Sequence, residues 1–191
     1  MKIIIILFVI LGISSCKKDS VFDDFGFYGE GTALVNKVEW KGKTGIFPKN
    51  NPLFNNCLPD TCFSLLIINE NKYDGTTNNI LIDRFFLKVG KFQFNKQRYD
   101  PIAQMYIDTT FSFSYGTSIA GGEIVTGLYR LVKTDINNYF EIKEFNKFTG
   151  DIKGSFKARV VRDLFSTASG AIPDSLDIEN GSFYGKINWH K

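Results

Sequence analysis

The chain has 191 residues, 43% of them hydrophobic and 15% aromatic, a length within one domain and rich enough in apolar material for a substantial core. Its formal charge of +3 comes from 23 Lys and Arg against 20 Asp and Glu spread along the chain. Nucleic-acid binding by phosphate neutralisation wants a clustered basic stripe; the densest basic group here is Lys37, Lys41 and Lys43, whose spacing suits a solvated strand face, so no nucleic-acid partner is expected.

Met1-Lys2 precede an apolar run from Ile3 to Leu11, then Gly12-Ile13-Ser14-Ser15-Cys16 and Lys17-Lys18. A positive start, a short apolar core and small residues at its end are the marks of an export signal. The run is too short to stay as a span, since crossing the hydrocarbon core takes roughly 20 apolar residues. Ile13-Ser14-Ser15-Cys16 resembles the lipobox of bacterial lipoproteins at all four positions, and that resemblance makes Cys16 the lipidated N-terminus and the membrane a partner. Residues 1–15 are then a lipoprotein signal peptide; their removal leaves 191 − 15 = 176 residues and takes the charge from +3 to 22 − 20 = +2. Residues 16–29 read as a polar, lipidated tether and 30–191 as the folded domain. Lys17, not aspartate, follows Cys16, so the usual enterobacterial inner-membrane retention signal is missing. The expected location is the outer membrane, on its periplasmic face or at the cell surface. Lys18-Asp19 and Asp23-Asp24 partly resemble the charged export signals of Bacteroidota surface lipoproteins.

From Gly31 onward, short runs rich in Val, Ile, Phe, Tyr and Thr alternate with Gly, Asn and Asp clusters, the punctuation of an all-β protein. A two-residue turn at Asn36-Lys37 would set Val35 opposite Val38, Leu34 opposite Glu39 and Ala33 opposite Trp40, with Ala33, Val35, Val38 and Trp40 on one face. Lys37 would then need a positive φ, which costs a non-glycine residue about 1 kcal/mol or more. Cys57 and Cys62 flank Pro59-Asp60, turn chemistry that brings the two together, and in an exported chain they are expected to form a disulfide contributing roughly 2 kcal/mol. Structural zinc would need four ligands, and the single histidine is His190, next to the last residue.

Residues 62–69 read as a central strand covered on both sides. A turn lies between Asp74-Gly75 and Asn78-Asn79, and residues 80–89 and 92–95 read as a hairpin about Gly90. The strongest alternation follows: Met105, Ile107, Thr109, Phe111, Phe113 and Tyr115 on one face, polar residues and Tyr106 on the other. Residues 124–132 and 139–145 are joined by a turn at Asp135-Ile136-Asn137-Asn138. The last strands carry Ile152, Phe156, Ala158 and Val160, then Leu176 and Ile178, then Phe183, Ile187 and Trp189 after a turn at Asn180-Gly181, with a small-residue loop at Ser166 to Ala171. At least nine short strands without crossover helices predict an all-β, antiparallel β-sandwich; a single closed β-barrel is the alternative. A membrane-spanning barrel would need outward apolar bands and aromatic girdles, and a lipid anchor would be redundant.

The lipobox, the hairpin Ala33-Leu34-Val35-Asn36-Lys37-Val38-Glu39-Trp40, the segment Ile152-Lys153-Gly154-Ser155-Phe156-Lys157-Ala158 and the closing Ile178-Glu179-Asn180-Gly181-Ser182-Phe183 together resemble a family of uncharacterised Bacteroidota lipoproteins. Its members open the mature domain with an Asn-Gly hairpin followed by Trp and end on an Ile-x-Asn-Gly-x-Phe strand; Lys37 stands here where the family has glycine. The resemblance implies a β-sandwich and no established activity.

Catalytic patterns are scarce. There is no Gly-x-Ser-x-Gly elbow, and histidine-based hydrolysis would rest on His190. Glu123, Glu141 and Glu144 are expected as solvent-facing partners of lysine rather than as a glycosidase pair. Gly121-Gly122 reads as a turn, not a phosphate cradle, and Asp74 to Asn79 as turn chemistry rather than a calcium loop. No catalytic residue, metal or cofactor is expected. The function expected is a lipid-anchored, non-catalytic binding module for a glycan or protein, with Tyr106, Tyr129 and Tyr184 as contact residues if they fall on solvent faces. The alternatives are an accessory subunit of an outer-membrane assembly and, lower, a glycan-acting enzyme.

Overall fold

The computed structural model describes residues 26–48, 62–70, 75–94, 98–100, 105–107, 112–119, 124–132, 135–163 and 173–187; Cys16, Cys57, Glu123 and His190 lie outside the described residues. Twelve strands make up the described chain: β1 (Phe27–Val35), β2 (Val38–Pro48), β3 (Phe63–Glu70), β4 (Thr77–Phe85), β5 (Gly90–Gln93), β6 (Arg98–Asp100), β7 (Met105–Ile107), β8 (Ser112–Ile119), β9 (Ile124–Leu131), β10 (Tyr139–Phe145), β11 (Asp151–Arg162) and β12 (Ser175–Lys186). β1 opens at Phe27, inside the stretch that the sequence assigns to the tether.

The fold is all-β, as the punctuation predicts, but it is a closed barrel and not a sandwich. β12 pairs with β1 along one edge and with β11 along the other, so the order β1-β2-β3-β4-β8-β9-β11-β12 returns to its start as eight antiparallel strands. β10 and β5 are added beside β11, and β6 with β7 forms a separate two-stranded sheet. A sandwich and a barrel both bury one face of each strand, so alternation cannot separate them. Closure rests on pairs such as Thr32 with Ser182, whose hydroxyls meet at 2.8 Å across 150 residues of sequence.

Three expected turns are read differently once the partners are known. β4 and β5 are consecutive but do not pair: β4 lies against β8 and β5 against β10, with Gly90 (φ 147°) opening β5. Asn78 and Asn79 belong to β4. Asn180-Gly181 is a β-bulge inside one long strand, for β12 shifts register there against both β1 and β11, and Asn180 takes φ 50°. β9 and β10 share one edge of β11, β9 at Val160 to Arg162 and β10 at Ile152 to Lys157. Asn138 fixes the loop between them by accepting from the Arg159 N–H (2.8 Å) and donating to the Val132 carbonyl (3.0 Å).

The Asn36-Lys37 turn is as drawn from the sequence: Val35 faces Val38, Ala33 faces Trp40, and the two turn residues take φ 48° and 66°. Ala33 and Trp40 point into the barrel, whereas Val38 is exposed, so the four residues do not share one buried face.

An eight-stranded barrel is wide enough either to be filled by its side chains or to hold one small ligand. This one is filled. Ile46, Leu65, Ile67, Ile80, Ile82 and Phe156 are wholly buried, and glycines make the room they occupy. A Cβ on Gly31 would strike the Ile67 side chain, one on Gly181 the Phe156 ring, and one on Gly185 the Ile46 side chain. Phe183 sits in register with Gly31 of β1 and Gly154 of β11, a large residue between two without side chains. Phe140 stacks on it (5.4 Å between centroids, 6° between planes) and meets Phe85 at 5.0 Å, which ties the added β10 into the same core.

Two substitution series test this packing by urea unfolding. Lys37→Gly should raise stability by about 1 kcal/mol, because it removes the left-handed strain without touching a contact. Gly31→Ala should cost about 1–3 kcal/mol, and Gly154→Ala more, since the Gly31 methyl meets only the Ile67 side chain whereas the Gly154 methyl meets the Glu141 carbonyl as well as the Phe183 ring.

Candidate functional site

The interior is occupied by the protein's own side chains, so the candidate surfaces lie outside. The broadest candidate is the outward face of β10, β11, β12, β1 and β2, where inward apolar residues alternate with outward polar ones; along β12, Leu176, Ile178 and Phe183 are buried while Asp177, Ser182, Tyr184 and Lys186 are exposed. One register row runs Glu144, Lys153, Tyr184, Glu30, Lys43 across five strands.

Cross-strand pairs lace this face. Glu144 meets Lys153 at 2.9 Å, Glu30 meets Lys41 at 2.8 Å, Glu179 meets Lys157 at 3.0 Å and Asp177 meets Arg159 at 3.6 Å. Exposed pairs of this type are screened and contribute little stability, so their weight lies in the mixed-sign pattern they present. The Glu144 carboxylate, by hydrogen bond and charge, pushes the Lys153 ammonium up, and Glu179 does the same to Lys157. Tyr184 stands in the middle, 44% exposed, its hydroxyl donating to Asp151 Oδ1 at 3.1 Å. That bond and the carboxylate's charge push the Tyr184 phenol up. Asp151 is held below the usual carboxylate range, first by the Thr149 hydroxyl, with burial opposing and the Tyr184 hydroxyl, Lys186 and Lys153 adding to it.

The sequence candidates separate. Tyr184 is on the solvent face; Tyr106 lies in β7 with its side chain outside the described residues. Tyr129 is not a surface residue: it is 1% exposed, its ring meets Tyr115 edge-on at 5.9 Å, and its hydroxyl donates to the Pro173 carbonyl at 3.0 Å. Its position in β9 is inward because Gly127 and Tyr129 share the face that β8 uses for Tyr115. Glu144 is paired with lysine as expected, whereas Glu141 accepts from the Ser155 hydroxyl at 3.0 Å. Among the described residues no three His, Cys, Asp or Glu side chains come together as a metal site. Cys62 is wholly buried just before β3; Cys57 lies outside the described residues.

Sequence reasoning passed over the other exposed aromatics, Tyr28, Phe86 and Phe148. Phe148 carried a signal, for it sits in Asn146-Lys147-Phe148-Thr149-Gly150, turn chemistry between two strands. No family model, curated protein or solved structure matches the chain.

The inward tyrosines generate a pH prediction. Burial, with the Tyr129 side chain adding to it, pushes the Tyr115 phenol up to about 12, and burial pushes Tyr129 up too. An unfolded tyrosine loses its proton near pH 10, so above that pH the unfolded chain binds fewer protons than the folded one and stability falls as pH rises. Melting temperature should therefore be insensitive to these groups below pH 10 and drop between pH 10 and 12. Tyr115→Phe should flatten part of that drop in a thermal melt series.

Proposed function

We propose that the protein is a lipid-anchored envelope protein that binds a glycan without transforming it, and that the contact is made on the outer face of β10, β11, β12, β1 and β2 around Tyr184. The observation that carries this reading is Tyr184 itself: an exposed ring, pinned by Asp151, with Lys153 and Glu30 beside it in register and the hydroxyls of Thr32 and Ser182 one row away. An aromatic face among hydrogen-bonding groups of both signs suits a sugar, which offers C–H on one side and hydroxyls around its rim. The filled interior supports an external site, and the pairing of Glu144 with lysine and Glu141 with serine supports a non-catalytic role.

Cys16 as the lipid anchor at the outer membrane belongs to the same proposal, and rests on the lipobox resemblance. The Cys57–Cys62 disulfide belongs to it too; it is supported by the complete burial of Cys62. A role as an accessory subunit docking through an open strand edge has less support. β5 ends the sheet order, but it is four residues long and presents Lys91 exposed, features that blunt an edge against strand addition.

Titration calorimetry against a panel of envelope and host oligosaccharides tests the proposal. The wild-type protein should bind at least one member, and Tyr184→Ala should weaken that binding about tenfold or more while leaving the melting temperature within a few degrees. No binding across the panel, or equal binding by the variant, would count against it.

A further inference from the structure

The exposed aromatics are not spread evenly. β1 begins at one rim of the barrel, where β12 and β4 end and where β10 turns into β11. Four aromatics stand exposed among the described residues: Tyr28 in β1, Phe86 after β4 and Phe148 at the β10–β11 turn lie at this rim, and Tyr184 lies on the wall beside it, in the face proposed for the ligand. At the opposite rim the exposed apolar side chains are aliphatic, Val38, Ile119, Val125 and Val161.

Phe148 is the most prominent, 87% exposed, in a turn whose backbone is hydrogen-bonded. Asn146 Oδ1 accepts from the Phe148 N–H (2.9 Å) and the Thr149 N–H (3.3 Å), and the Asn146 N–H and Gly150 N–H bond the Asp151 and Asn146 carbonyls, each at 2.8 Å. The Lys147 ammonium lies 5.1 Å from the centre of the Phe148 ring. Lys147 and, beside Phe86, Lys88 are exposed and make no ion pair among the described residues. An aromatic ring held out next to an unpaired lysine is the chemistry of the membrane interface, where the ring enters the headgroup level and the ammonium meets anionic headgroups.

We propose that this rim rests on the bilayer and that Phe148, with Lys147, enters its interface. The inference rests on the lipid anchor at Cys16. Nine residues separate Cys16 from Gly26, ten steps along the chain, and a chain spans at most about 3.6 Å per step, so the rim where β1 begins is held within about 36 Å of the anchored acyl chains. It is the rim that carries the aromatics.

The test uses the full lipidated protein reconstituted in vesicles of phosphatidylcholine and phosphatidylglycerol whose acyl chains carry bromine, which quenches tryptophan on contact. Phe148→Trp is compared with Val38→Trp, after subtracting the unsubstituted protein's signal. Val38 is 68% exposed and opens β2 opposite Val35, eight residues along β1 from Phe27 and so about 26 Å up the barrel wall. Quenching at position 148 should exceed that at 38 by about twofold or more, and adding Lys147→Glu should reduce it. Equal quenching at the two positions, with acyl chains found on Cys16 by mass spectrometry, would overturn the proposal while leaving the anchor standing. A Cys16 without acyl mass would overturn the anchor and this proposal together.

Discussion

The pairing of the last strand with the first is the constraint on which the rest depends. β12 is hydrogen-bonded on both edges, to β1 and to β11, and without it the strands from β1 to β11 would be an open sheet with two long unpaired edges. Closure also fixes the inside. The β12 bulge at Asn180-Gly181 places Gly181 against Phe156 and, two residues on, Phe183 between Gly31 and Gly154. A flat run through residue 180 would turn one half of β12 inside out, because a slip of one residue exchanges the faces of a strand.

Much of this was legible in the chain and some of it was not, for identifiable reasons. The first hairpin could be drawn to the residue because a two-residue turn fixes its own register, even with Lys37 carrying the strain. The apolar periods of β8 and β11 announced inward faces, whereas β3 read as covered on both sides and buries fully only the face of Phe63, Leu65 and Ile67. What could not be read was partnership between distant strands. Asn-Gly is ordinary hairpin chemistry, and only the neighbours on both sides of β12 convert it to a bulge. The same holds for β9 and β10, which read as successive strands about a turn but share one edge of β11. Tyr129 follows from the same cause, since its face depends on which strands lie beside β9.

A barrel of this size has room for a small ligand inside; here Ile, Leu and Phe side chains complemented by glycines occupy that space. Both proposed contacts therefore use the outer surface: the charged face around Tyr184 would meet a ligand, and the rim at the start of β1 would set Phe148 and Lys147 against a bilayer. Tyr184 was visible in the sequence as a tyrosine in the closing strand. Phe148 stood in a turn, where an exposed large aromatic has no packing purpose of its own.

Amide hydrogen exchange resolved along the chain is the most direct test of the closed barrel. The closure predicts that β1 and β12 amides exchange as slowly as those of β3 and β11, through opening of the whole barrel, while β5 amides on the sheet's end exchange fast. Fast exchange along β1 or along the β1-facing edge of β12, with β3 and β11 still protected, would show an open sheet and contradict the account.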